Sequence, residues 1–305
     1  MRAEVFVRAA LPEPPQSSLR LAGELAGPEC RRSITLPAGA SLVDLGAGPA
    51  GLLAKAVLTE PAFWTPDLPN LYRLTVRVEA DGQTLTEATR RIGLRRSGVR
   101  GRSLWLEGRR WVPRGVARDP RSCDVPTVRD AAVAAVVTDP PESLLVAADE
   151  AGLVVIAVAQ AGAGPAFDAG AIVERIGAWA GHPSVVITVL PQPLTDARAA
   201  AVAATARRLK GTMLLACTAD GASPPPTGVP TGIDCLRVAL GTGSLPHAAW
   251  RDAAPAVPLL AWRPGADADE PHRGDCDRLQ ASLAAWGVAD GRPLQAWDWA
   301  GYLVS

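Results

Sequence analysis

Three aspartates fall at or near the ends of predicted buried strands, and they are Asp139, Asp220 and Asp298. The carboxyl ends of parallel strands gather at one face, where α/β enzymes place their chemistry. Carboxylates that converge there could bind a ligand or a cation such as Ca²⁺, or could act as an acid and a nucleophile. The structural alternative is that they cap the following helices or pair with arginines.

A neighbouring strand ends without any carboxylate. The segment "GHPSVVITVLPQP", 181–193, has an apolar centre of a length that suits a buried parallel strand, and then stops on Leu-Pro-Gln-Pro. Gln192 could hold a water or a hydroxyl group. It cannot act as a general acid, because an amide has no titratable proton near neutral pH. The alternative is a polar loop residue without a ligand.

The cysteines and histidines do not form a metal-binding pattern. No Cys-x-x-Cys or Cys/His ligand spacing occurs, so we expect no metal site and no cofactor. The odd number and wide spacing of the five cysteines indicate free thiols in a reducing compartment. Cys217 and Cys235 fall inside predicted strands, which favours small buried hydrophobes over nucleophiles.

The charge balance narrows the class of partner. The 305 residues include 31 Lys+Arg and 31 Asp+Glu, which argues against nucleic acid or an anionic membrane as the main partner. The first fifteen residues lack the apolar region of a signal peptide. The longest apolar stretch, 151–167, is too interrupted to span a membrane. We therefore expect a cytoplasmic location without membrane insertion.

Residues 1–97 predict a β-sandwich. Short alternating runs are separated by Pro/Gly clusters, and no long helical pattern appears. The Asp81-Gly82 pair within "EADGQT" predicts a hairpin turn.

Residues 98–305 predict a compact (β/α)8 barrel. A hairpin at 103–117 leads in, and strands then alternate with helical segments, with room only for a short helix after strand six. The helix over 194–211 has Thr195 as its N-cap and Gly211 just past its end. The predicted strands cover 111–116, 134–138, 153–158, 184–190, 212–217, 233–239, 256–262 and 293–298.

Several motifs together resemble one enzyme family. The segment "PAFWTPDLPNLYRLTVRV", 61–78, is similar to the junction between two domains in glycoside hydrolase family 2, the family of β-galactosidase, β-glucuronidase and β-mannosidase. The stretches "RGVARDP" (114–120), "ADEAGLVVI" (148–156), "GHPSVVITVLPQP" and "LQAWDW" (294–299) resemble further motifs of its barrel. The resemblance implies an immunoglobulin-like domain followed by a TIM barrel, and the Pro-rich junction, including Trp64 and Tyr72, should be rigid and packed.

The resemblance also implies where catalytic residues should lie, and this sequence departs from it there. The family's acid/base glutamate corresponds to Pro191 or Gln192, and its nucleophile to Trp262, Arg263 or Pro264. A retaining mechanism needs two carboxyl groups facing each other. The expected positions hold none, which identifies them as vestigial.

Two further positions are candidates for ligand binding. Arg118 occupies the place of an arginine in the family motif, where it could clamp a carboxylate or hydroxyl, or else pair with an acid at the barrel mouth. Trp297 corresponds to a tryptophan that the family presents to the sugar.

These observations favour a catalytically inactive homologue that acts as a binding or structural module, within a larger assembly. We expect another protein as its partner, with carbohydrate as the second candidate. The alternative is an active β-glycosidase or glycan-binding enzyme with a relocated carboxylate pair from Asp139, Asp220 and Asp298. Three prolines and two bulky side chains predict a shallow or closed mouth, with Arg118 and Arg263 neutralised by aspartates.

Overall fold

A computed structural model of the protein describes residues 1–10, 18–48, 51–160, 168–192, 195–265, 271–288 and 297–305. The chain divides into two compact units, Met1–Leu94 and Arg95–Ser305.

The first unit consists of antiparallel strands. One sheet has the order β1-β5-β4 and the other β3-β2-β6-β7. The strands are β1 (Arg2–Ala9), β2 (Leu19–Glu29), β3 (Ala38–Ser41), β4 (Val43–Gly48), β5 (Gly51–Thr59), β6 (Leu71–Ala80) and β7 (Gln83–Ile92).

The two sheets share one apolar core. Alternate residues of β5 are buried, from Leu52 to Leu58, and they belong to the same core as Leu21 and Leu25 of β2. Each buried leucine contributes roughly 2 kcal/mol of transfer free energy. This packing of two antiparallel sheets confirms the predicted sandwich.

The turn between β6 and β7 has the predicted chemistry. Asp81 and Gly82 both have positive φ, 49° and 81°, and Ala80 pairs directly with Gln83. Positive φ at both central residues is the requirement of a type I′ hairpin, which Asp-Gly meets with little strain.

The segment before β6 is packed, as its aromatic and proline content predicted. Trp64 and Tyr72 are both fully buried. The backbone N–H of Ala62 donates to Tyr72 Oη at 2.8 Å, and Asn70 Nδ2 donates to the carbonyl of Phe63 at 2.9 Å. These bonds hold the irregular backbone where it has no sheet partner.

The second unit opens with a three-stranded antiparallel sheet and continues as a closed barrel of eight parallel strands. The sheet contains β8 (Ser97–Arg100), β9 (Ser103–Leu106) and β10 (Arg109–Trp111). The barrel strands are β11 (Arg114–Ala117), β12 (Ala134–Thr138), β13 (Val155–Val158), β14 (Val185–Val189), β15 (Leu214–Asp220), β16 (Cys235–Ala239), β17 (Leu259–Arg263) and β18 (Gly301–Val304). β18 closes the barrel by pairing with β11.

Helices connect the barrel strands. The side chain of Thr195 accepts a hydrogen bond from the N–H of Arg198, which confirms the predicted N-cap. An earlier helix, Glu142–Ala151, ends at Gly152, which has a φ of 80°. In the described part of the chain the helices are α1 (Val125–Asp130), α2 (Glu142–Ala151), α3 (Ala169–Ala180), α4 (Asp196–Ala206), α5 (Ala249–Asp252) and α6 (Arg273–Val288). None of these helices combines the length and apolar content that crossing a bilayer requires.

The eighth strand of the barrel lies later in the chain than the predicted 293–298, of which 293–296 are outside the described residues. It spans Gly301–Val304 and is buried throughout. A Cβ at Gly301 would come within 2.6 Å of Pro113 and 2.7 Å of Leu260. The barrel needs a glycine at this position because neighbouring side chains leave no room for a larger residue.

Candidate functional site

A cavity of about 490 Å³ lies at the carboxyl ends of the barrel strands, within the size range of small-molecule sites. The prediction named a shallow or a closed mouth, and this cavity shows that the mouth is not closed. Pro191 is buried in the wall, and Trp262 lines the cavity with its ring against the guanidinium of Arg237. The polar residues of the lining are Arg118, Thr138, Gln160, Gln192, Arg237 and Ser305.

The end of β14 presents an amide to this cavity. Gln192 is exposed and lines it, while Leu190 is anchored by an N–H bond to the carbonyl of Ala216 at 2.7 Å. Gln192 can donate and accept hydrogen bonds with a ligand. It has no proton to give a leaving group at neutral pH.

The end of β17 presents an aromatic ring and a cation. Trp262 lines the cavity, and its Nε1 donates to Ser305 Oγ at 3.2 Å. Arg263 donates from Nη2 to the carbonyl of Ser244 at 3.3 Å, and burial lowers its pKa. In the described part of the chain no aspartate pairs with Arg263, so the predicted neutralisation is not found there.

Arg237 on β16 is a buried cation that sequence reasoning overlooked. It is 5% exposed and lines the cavity. Its Nε donates to Thr218 Oγ1 at 3.0 Å, and its guanidinium carbon lies 3.8 Å from the centre of the Trp262 ring. Burial lowers its pKa to about 10, so the side chain remains charged at neutral pH. The available signal was a single arginine inside the apolar run "CLRVAL".

Arg118 brings a second guanidinium to the same cavity. It follows β11, and its Nη1 donates to the carbonyls of Ala117 and Pro271 at 2.8 and 2.7 Å. The described lining thus holds two cations and no carboxylate.

The three candidate aspartates do not converge on the cavity. Asp139 accepts from Arg175 at 2.6 Å beside the end of β12. Asp220 ends β15 and closes its own turn by accepting from the N–H of Ala222 and from Ser223 Oγ. The Ser223 bond, followed by the Ala222 bond, lowers the pKa of this exposed carboxyl.

Asp298 lies at the opposite end of the barrel. It precedes β18, is 80% exposed and pairs with Arg110 at 3.4 Å. It lines a second cavity, of about 500 Å³, together with Trp299 and Tyr302. In the chain segments that the structure describes, no group of three His, Cys, Asp or Glu side chains could hold a metal ion.

Trp297 also precedes β18, at the amino end of the barrel. It is 4% exposed and packs edge-to-face against Trp299, with ring centroids 5.0 Å apart. Because β18 starts four residues after it, Trp297 is not at the barrel mouth, where the resemblance implied a sugar contact.

Three of the five cysteines, Cys217, Cys235 and Cys276, are poor sources of a thiolate. All five are free, and burial raises the pKa of Cys217 to about 11 and that of Cys276 to about 12. Burial also raises the pKa of Cys235. Thiols with raised pKa values remain protonated and react poorly.

A buried polar network at the amino end of the barrel was not predicted. His182 Nδ1 lies 2.7 Å from Asp149 Oδ2, and His182 Nε2 lies 2.9 Å from Glu142 Oε2. Asp149 Oδ1 also accepts from the N–H of Ser184 at 2.9 Å. Burial lowers the pKa of His182, but hydrogen bonds and charges from the two carboxylates outweigh it and raise the pKa overall.

Arg95 extends this network. Its guanidinium is buried and donates from Nη1 to the carbonyls of His182, Pro183 and Val185, the last at 2.7 Å. Its Nε donates to Ser97 Oγ at 3.1 Å. These groups tie the loop before β14 to the start of the second unit. The network therefore holds the backbone in place, and its residues are not among those that line the cavity at the mouth.

Comparison with known proteins finds glycosidases that share this fold. Residues 33–95 match the model of the family described as "Glycosyl hydrolases family 2". A family 2 member from Bacteroides cellulosilyticus aligns with a TM-score of 0.67 and 16% identity, over 99% of this chain and 43% of that chain.

Two similar structures carry named activities. The β-galacturonidase from Eisenbergiella tayi bound to galacturonate has a TM-score of 0.61 and 15% identity, covering 99% of this chain and 61% of that one. The β-glucuronidase from Parabacteroides merdae has a TM-score of 0.54 and 19% identity, covering 78% and 33%. This chain thus spans between one third and about three fifths of these chains' length, and the likeness shows the shared fold.

Proposed function

Because the chain is related to the family 2 glycosyl hydrolases, we propose that its barrel binds a small polar ligand at the mouth without cleaving a glycosidic bond. The observation that carries this proposal is the lining of the 490 Å³ cavity, which in its described part holds arginine, glutamine, tryptophan and hydroxyl groups and no carboxylate.

The chemistry of glycoside cleavage explains why that lining matters. A retaining glycosidase needs a carboxylate nucleophile and a carboxylic acid roughly 5 Å apart, and an inverting one needs two carboxyls roughly 6.5–9.5 Å apart. Gln192 and Trp262, at the positions implied by the resemblance, can perform neither role.

A relocated carboxylate pair is the competing function. Its three candidates would have to act on one substrate, but Asp139 is paired with Arg175 and Asp220 closes its own turn. Asp298 lies before β18, at the end of the barrel remote from the mouth. Their placement disfavours an active enzyme. We propose in its place a binding or docking role within a larger assembly, with a protein or a carbohydrate as partner.

Hydrolysis assays test the proposal. We expect no release of nitrophenol from aryl β-galactosides, β-glucuronides, β-galacturonides or β-mannosides above the uncatalysed rate. The variants Asp139→Asn and Asp298→Asn serve as internal controls. Turnover by the unmodified chain that either variant abolishes would establish a relocated catalytic pair and refute the proposal.

A further inference from the structure

Arg237 has fewer partners than a buried cation requires. Only 5% of the residue is exposed, and its Nε is used by Thr218 Oγ1. Neither terminal nitrogen has an acceptor in the described part of the chain, and no carboxylate there pairs with it. An isolated buried charge is costly, and buried arginines in proteins are usually paired.

The guanidinium is nevertheless held firmly in place. The Trp262 ring covers one face at 3.8 Å, and Trp262 is itself fixed by its bond to Ser305 Oγ. Thr218 fixes the Nε edge at 3.0 Å. The stacking and the Nε bond orient the guanidinium plane. The two terminal nitrogens have no acceptor among the described residues, which is the arrangement that bidentate recognition of an oxyanion requires.

The surroundings add charge of the same sign and groups suited to hydroxyls. Arg118 lines the same cavity as Arg237 and is held by two backbone carbonyls. Gln192 and Thr138 also line it and can exchange hydrogen bonds with hydroxyl groups. The described lining therefore combines two guanidinium groups with neutral polar side chains.

We propose that the barrel mouth binds the oxyanion, a carboxylate or a phosphoryl group, of a small polyhydroxylated molecule, with Arg237 as its bidentate anchor. The inference rests on the proposed function, since it assigns a ligand class to the same mouth. A bound oxyanion supplies the acceptors that Arg237 lacks and offsets the cost of burying its charge.

Matched pairs of ligands test this assignment by calorimetry on the intact chain. Gluconate is compared with sorbitol, and glucose 6-phosphate with glucose, because each pair differs mainly in the anionic group. We expect at least one anion to bind about tenfold or more tightly than its neutral partner, as charge-assisted hydrogen bonds are the stronger class. The preferred pair distinguishes a carboxylate from a phosphoryl ligand.

Variants of Arg237 identify the anchor. Arg237→Met should lower the affinity for the anion by about tenfold or more and that for the neutral partner much less, so that the preference is lost. Arg237→Lys should restore part of the preference. Arg208→Met is the matched control, because it removes the same charge from an exposed position just beyond α4. Circular dichroism and the melting temperature establish that each variant is folded.

Several results would overturn the inference. Equal affinity for both members of each pair would do so, as would an anion preference that survives in folded Arg237→Met. A third such result concerns three acidic residues outside the described part of the chain, Asp267, Asp269 and Glu270. If anions bind only after these residues are replaced by amides, the chain neutralises its own arginine. The two proposals can fail independently. Glycoside turnover would refute the proposed function, whereas the binding results above would refute the assignment of an oxyanion ligand.

Discussion

At the amino end of the barrel Arg95 is buried among three backbone carbonyls and a hydroxyl, whereas at the carboxyl end Arg237 is buried with one hydroxyl and one aromatic ring. Burial lowers the pKa of both arginines to about 10. For Arg95 the charges of Asp149 and Glu107 oppose this effect, whereas in the described part of the chain no charge opposes it for Arg237.

The difference separates two roles of polar side chains in one barrel. The amino end keeps the motifs that resemble family 2, "ADEAGLVVI" and "GHPSVVITVLPQP", because Asp149 and His182 within them hold each other and the backbone. The carboxyl end departs from the family at the positions of the acid and the nucleophile. The fold depends on the first set, and reactivity would depend on the second, because function lies in the site and not in the fold.

The largest effect should follow from breaking the amino-end network at its centre. Asp149→Ala leaves His182 and the N–H of Ser184 without their buried acceptor, and we expect a loss of about 3 kcal/mol in the free energy of unfolding. Urea denaturation measures it. Asp149→Asn keeps the shape and should lose less. If the alanine variant were as stable as the unmodified chain, the network would not support the barrel.

Removing the arginine of this network should cost somewhat less. Arg95→Met deprives the carbonyls around His182 of a charged donor, and we expect a loss of about 2 kcal/mol. The same denaturation measurement applies. A cost below that of the exposed control Arg208→Met would contradict the role assigned to Arg95.

The amino-end network should also make stability depend on pH. The folded pKa of His182 is raised above its ordinary value of 6.5. Its contribution is therefore complete below the unfolded pKa and is lost as pH rises through the folded pKa. We expect His182→Gln to flatten the decline in unfolding free energy above pH 6.5, measured by urea titrations across that range. His247→Gln, which removes an exposed imidazole, should leave the decline in place.

At the mouth, the corresponding arginine should contribute little to stability. Without ligand, Arg237→Met replaces an incompletely paired buried charge by an apolar side chain of similar length. We expect the free energy of unfolding to stay within about 1 kcal/mol of that of the unmodified chain, and any change to be an increase in stability. A loss as large as that of Arg95→Met would show that Arg237 supports the fold, and the contrast between the two ends would disappear.

The smallest effect is expected for the exposed ion pair of Asp298 with Arg110. Exposed pairs contribute little, so Asp298→Asn should change the unfolding free energy by less than about 0.5 kcal/mol. It should also leave any ligand binding at the mouth unchanged, because Asp298 precedes β18 at the other end of the barrel. An altered affinity at the mouth would show that Asp298 acts there after all.

Much of the fold could be predicted from local pattern. Alternation in β5, the Asp81-Gly82 turn and the Thr195 cap each follow from a few adjacent residues, since the physical cause is local. Strand eight could not be placed, because the need for Gly301 comes from Pro113, which is distant in sequence, and from Leu260. Because the strand begins later than predicted, Trp297 and Asp298 precede it and lie at the opposite end of the barrel from the mouth.

The sequence by itself determined the two-part architecture and the absence of glutamates at the positions that the resemblance implied, because residue identity and periodicity are properties of the chain. Only the tertiary structure decided which charged groups meet. The buried pair of Asp149 with His182 joins a helix to a loop 33 residues later, and the mouth brings together Arg118, Gln192 and Arg237 from three different strands and the loops that follow them. The partners and the burial of each charged side chain are set only when the barrel closes. They decide whether that charge stabilises the fold or can bind a ligand.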